Sequence, residues 1–131
     1  MHDKHLFEYA VIRVVPRVDR EEFLNVGVIL YCPQLKFLEL IYTLDAARLL
    51  SFSPTLDLTE IEEHLRAFGN ITRGSNEGGP IARLDMPSRF RWLTATRSTI
   101  LQTSRVHPGF CADPPAALAR LHQSLVLPSQ P

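Results

Sequence analysis

The chain has 131 residues, 45 % hydrophobic and 21 % charged, with fourteen basic side chains against fourteen acidic ones. That size and balance suit one hydrophobic core and a single domain over residues 1–131, and they exclude a disordered chain. A neutral total gives no general attraction to nucleic acid or to anionic membrane, and no run approaches the ~20 apolar residues of a membrane helix.

Met1-His2-Asp3-Lys4-His5 leads straight into a strand-like run, without the apolar stretch and cleavage site of a secretory signal. Two cysteines, Cys32 and Cys111, are too few for a disulfide scaffold, so the expected compartment is the cytoplasm. Phe7 to Val15 is β-branched, aromatic and nearly continuous, which predicts a central strand buried on both faces and ended by Pro16. Asp19 to Leu24 reads as a polar connector or one helical turn. Asn25 to Cys32 is a second strand, with Val26, Val28 and Leu30 on one face and Ile29 and Tyr31 on the other. After a turn at Pro33-Gln34, Lys36 to Thr43 is a third, with Phe37 and Ile41 opposite Leu38, Leu40 and Tyr42. The short connection predicts an antiparallel hairpin.

Helical spacing follows. Asp45 caps a short helix that Pro54 breaks, and Asp57 with Glu60 forms a capping box for a longer one. Leu58, Ile61, Leu65 and Phe68 give its apolar stripe, and Gly69 stands where a C-terminal cap belongs. Residues 70–82, rich in Gly, Ser and Asn, read as a flexible loop. Arg83 to Leu93 is either a short helix or irregular chain; Thr99 to Val106 is a fourth strand; His107-Pro108-Gly109 is a turn. Asp113 caps a last helix with Pro114 in its first position, Leu118, Leu121 and Leu125 on its buried face, and Pro128 as its stop. This segregated order predicts an α+β fold: a mainly antiparallel sheet of about four strands with two to three helices packed on one face.

Twelve of the fourteen basic residues are arginine, and their placement is uneven. Arg83 to Arg105 holds five arginines and one acid, whereas Glu39 to Glu63 holds six acids and one base. Either the two segments face each other, or the basic one holds phosphate or an acidic partner. Arg13 is a sharper case, because it is flanked by Ile12 and Val14 inside an apolar strand and a guanidinium there needs a partner. One reading is a structural ion pair with Glu21 or Glu22; the other is an anion site at the sheet face, with Arg91 or Arg97 joining Arg13. Trp92, between Arg91 and Leu93, either stacks on a base or packs a short segment.

Other chemistry finds little support. The glycine-rich stretch lacks both phosphate-loop and dinucleotide spacing, so no cofactor is expected. Cys32, His107 and Cys111 have nothing to orient them as metal ligands or as a catalytic pair, and no metal is expected. No nucleophile elbow, metalloprotease helix or paired-carboxylate signature is present.

Tyr9-Ala10-Val11-Ile12-Arg13-Val14-Val15-Pro16, then Arg20-Glu21-Glu22-Phe23-Leu24-Asn25-Val26-Gly27, resembles the bacterial family of domain of unknown function 3037. Phe90-Arg91-Trp92-Leu93, Arg97-Ser98 and Asp113-Pro114 resemble its second half. The resemblance implies a small cytosolic protein and brings no catalytic activity with it. It implies an association with kinases of the HipA type, and it marks Arg13, Arg20, Glu21, Asn25, Gly27, Arg91 and Arg97 as positions to watch. Asn25 and Gly27 suit a strand entry where backbone comes close to a neighbour. The expected function is a binding or regulatory module for a protein partner such as a HipA-like kinase, rather than an enzyme. The alternatives are an arginine-based binder of a phosphorylated ligand or nucleic acid, and a hydrolase or nuclease using Glu21 or Glu22.

Overall fold

The computed structural model describes residues 3–128. The strands are β1 (His5–Val14), β2 (Leu24–Cys32), β3 (Phe37–Tyr42), β4 (Leu101–Thr103) and β5 (His107–Cys111). The helices are α1 (Ala46–Phe52), α2 (Leu58–Thr72), α3 (Met86–Leu93) and α4 (Pro114–Leu125). All strand pairings are antiparallel, in the order β3-β2-β1, and the far edge of β1 is shared between β4 and β5. The α+β class and the antiparallel sheet are as expected, with one strand and one helix more, and with α4 on the face opposite α1 to α3 rather than all helices on one face.

The additional strand is β5, built from the segment expected to turn. β4 pairs only with Ile12, Arg13 and Val14, which leaves the backbone of His5 to Tyr9 in need of partners. His107–Cys111 supplies them, with Pro108 opposite Glu8 and Gly109 beneath the Phe7 ring. Proline is tolerated because β5 is an edge strand.

β1 and β2 carry a bulge. Ile12 pairs with Gly27 but Arg13 pairs with Asn25, so Val26 is the extra residue. The bulge breaks the expected alternation. Val26 joins Ile29 and Tyr31 in one core, whereas Val28, Leu30 and Cys32 enter the other.

Each face of the sheet therefore has its own core. On the first, Ala10, Ile12 and Val14 pack with Leu49 of α1, with Ile61, Leu65, Phe68 and Ile71 of α2, and with Phe90 and Leu93 of α3. On the second, Phe7, Val28, Leu30 and Cys32 pack with Ala117 and Leu118 of α4 and with Val126. The Val, Leu, Ile and Phe side chains among them contribute roughly 1.5–3 kcal/mol each when fully buried.

α2 begins as expected, with the Asp57 carboxylate accepting from the Glu60 amide at 3.2 Å. It does not end at Gly69. Ile71 and Thr72 are buried, and the Thr72 hydroxyl donates to the Phe68 carbonyl at 2.8 Å, so core contacts carry the helix one turn further. Gly74, at φ 66°, is the actual stop; its amide returns to the Ile71 carbonyl at 3.1 Å. The stretch read as loop is thus helix to Thr72, then short 3-10 turns at Asn76–Gly78 and Pro80–Arg83, with Ala82 buried. The ambiguous segment resolves as α3, because Asp85 accepts from the Ser88 amide at 2.9 Å and Phe90 and Leu93 are buried.

α4 carries a titratable contact, His122 Nε2 with Thr43 Oγ1 at 2.9 Å. Burial holds the His122 imidazole below its ordinary 6.5. The unfolded chain then takes up this proton at higher pH than the folded one. The stability from neutral His122 is present above about 6.5 and is lost as pH falls through that value toward the folded one. Urea midpoints will fall between about pH 7 and about pH 5, and His122→Gln will flatten that slope.

Candidate functional site

Strand alternation places Arg13. Its neighbours Ile12 and Val14 lie in the first core, so Arg13 projects from the second face, beside Gln102 of β4 and Asn25 of β2. Its guanidinium lies over the Phe23 ring, with Cζ 3.8 Å from the centroid. Nε is buried and has no hydrogen-bond partner among the described residues. Burial also holds this guanidinium below its ordinary pKa. Among the described residues no carboxylate closes an ion pair with it, so the expected pair with Glu21 or Glu22 does not form.

Asn25 is held against α4, its Nδ2 donating to the Leu125 carbonyl at 3.1 Å. Its Oδ1 is buried and also unpartnered among the described residues. Two cross-strand neighbours at the bulge thus each keep one buried polar atom unsatisfied, at a typical penalty of roughly 1–3 kcal/mol apiece. Arg13 opens into a depression of about 450 Å³ lined by Val15, Val18, Glu21, Phe23 and Gln102. Glu21 holds φ 56°, a left-handed conformation that is uncommon for a residue with a side chain. No residue of α4 lines this depression; the helix packs chiefly over β2 and β3.

The flanking charges are already neutralised. Arg17 pairs with Asp19 at 2.7 Å, and Arg20 pairs with Glu22. Arg17, Arg20 and Glu22 line a separate hollow of about 320 Å³ against Phe52 and Pro54. Glu22 is therefore engaged on the surface, whereas Glu21 shares the depression with Arg13.

Arg91 and Arg97 belong to the other side of the sheet. Arg97 lies over the Trp92 ring at 4.3 Å and donates to the Trp92 carbonyl. It lines a slot with Phe68, Ile71 and Leu101, which belong to the first core. Arg91 is exposed on α3; burial holds the Tyr31 phenol above its ordinary value, and the charge of Arg91 offsets only part of that rise. The three guanidiniums therefore do not converge: Arg13 serves one face, and Arg91 and Arg97 the other. Nor do the acidic and basic segments face each other through ion pairs among the described residues, where Glu60 reaches His64 and Glu62 reaches Arg66 within α2.

Phe23 and Gln102 complete the depression, and neither stood out in the sequence. An aromatic residue directly after two glutamates in a polar connector was the available signal for Phe23, since nothing local explains its presence there. His107 stacks on Tyr9 at 5.3 Å, and Cys32 and Cys111 are free and buried, with burial pushing the Cys111 thiol up. Among the described residues no three His, Cys, Asp or Glu side chains group closely enough to hold a metal ion. Nor is any helix among them long and apolar enough to cross a membrane.

No curated protein and no solved structure matches the chain. A family model does, over residues 9–126, and on that match the chain belongs to the family described as protein of unknown function (DUF3037).

Proposed function

We propose that this protein is a binding module whose Arg13 receives an acidic side chain of a protein partner. The observation that carries this reading is the state of Arg13: half-buried, laid on Phe23, and in ion-pair contact with no carboxylate among the described residues. A cation kept partly dry and unpaired detracts from stability, and binding a carboxylate relieves that cost. Beside it Val18 is 49 % exposed and Phe23 is 43 % exposed, an apolar rim for the residues that flank the acid. An arginine against an aromatic ring within an apolar rim is the composition of an interface hot spot. The HipA-like kinase implied by the family resemblance is the first partner to try.

The competing reading is a phosphorylated ligand, because a guanidinium fork fits phosphate as well as carboxylate. Peptide display on the wild type and on Arg13→Gln separates the two. The expected result is enrichment of peptides with an acid beside an apolar residue, binding Arg13→Gln about tenfold or more weakly. Peptides that bind both proteins equally overturn the proposal. So does stabilisation by ATP, inorganic phosphate or an oligonucleotide that Arg13→Gln abolishes, which assigns Arg13 to phosphate.

A further inference from the structure

We infer that the slot beside Trp92 is a second ligand site, which takes a small monocarboxylic acid bearing one apolar ring. The slot lies on the opposite face of the sheet from Arg13 and shares no lining residue with that depression. Its volume, about 170 Å³, is that of a single ring; a dry apolar cavity of about 150 Å³ holds benzene. Phe68, Ile71 and Leu101 form the apolar floor, each buried in the first core. The more exposed Trp92, Arg97 and His64 complete its lining toward solvent.

The charge at the mouth selects the head group. Arg97 lies over the Trp92 ring, gives one N–H to the Trp92 carbonyl, and meets no carboxylate of this chain among the described residues. Burial holds its pKa below the ordinary value, so an incoming anion gains more there than at a fully hydrated arginine. The apolar floor offers nothing to a bare inorganic anion, and the guanidinium offers little to a neutral hydrocarbon. Glu60, outside the slot lining but 3.6 Å from His64, repels any anion there and a dianion such as phosphate more than a monoanion. A ring with one carboxylate meets all three conditions.

Trp92 is the only tryptophan of the chain, so its fluorescence reports on this slot alone. The test titrates benzoate into the intact protein, with benzyl alcohol and inorganic phosphate as comparators and amide NMR shifts as a second readout. Benzoate is expected to give a saturable change, benzyl alcohol to bind about tenfold or more weakly, and phosphate to give no saturable change. Arg97→Met should weaken benzoate about tenfold or more, and Arg13→Gln should leave it unaltered. Ala67→Phe places a ring into the slot from an exposed position of α2, so the variant keeps its fold and should lose benzoate binding. The proposal fails if benzoate gives no saturable change up to about 10 mM, if both slot variants bind as wild type, or if phosphate binds as well as benzoate.

Discussion

Replacing Phe90 by alanine is expected to remove about 3–5 kcal/mol of unfolding free energy, the range for deleting a buried phenyl ring. Phe90 is among the largest fully buried side chains, and its ring packs on that of Tyr31 with centroids 5.2 Å apart. α3 has eight residues, and only Phe90 and Leu93 among them are buried. A helix that short is marginal alone and exists because those two side chains reach the core. Against a total stability of roughly 5–15 kcal/mol the loss is large. In urea the midpoint should drop sharply while the slope changes little. Because Trp92 stands two positions on in the same helix, Phe90→Ala should also shift its emission toward that of a water-exposed indole. Phe90→Leu, which keeps most of the volume, should show a much smaller change in both measurements. A loss below about 1 kcal/mol for Phe90→Ala would mean that the Phe90 ring contributes little to the first core.

The sequence conveys the strands, the caps and the hairpin because these are local. Asp45, Asp57 and Asp113 each accept from an amide three residues on, and β1 to β3 follow from apolar runs bounded by proline and polar residues. It conveys less where a distant segment decides. β5 is a strand because β4 is too short to satisfy β1, and His107-Pro108-Gly109 by itself reads as a turn. α2 runs past Gly69 because Ile71 and Thr72 find buried places, which periodicity up to Phe68 does not disclose. The site behaves in the same way. Arg13 stands out from its own neighbours, since a cation among β-branched residues is anomalous wherever it lies. Its separation from Arg97 depends on strand parity together with the placing of the segment after α3, and a list of arginines contains neither. Phe23 is illegible for the opposite reason, being a commonplace residue that acquires its role only when Arg13 comes to rest on it.

Gly27 links the fold to the site, and Gly27→Ala is expected to cost about 3 kcal/mol, the upper end for overpacking. A methyl group there would stand 2.8 Å from the Ile41 carbonyl oxygen and 2.9 Å from the Tyr42 Cβ. The first of these is backbone of β3, which cannot swing aside as the end of a long side chain can. Relief requires β3 to move off β2, at the expense of the pairing between Gly27 and Tyr42. The same residue sits opposite Ile12 at the bulge, one step from the Arg13–Asn25 pair. Movement there should alter how Asn25 meets the Leu125 carbonyl and how Arg13 rests on Phe23. Two readouts are therefore expected to change together: a lower urea midpoint, and weaker binding of the peptides selected through Arg13. A drop in stability with peptide binding unchanged would place the strain wholly in the β2–β3 pairing. Losing both would identify the bulge as the device that holds a partly dry guanidinium in position for its partner.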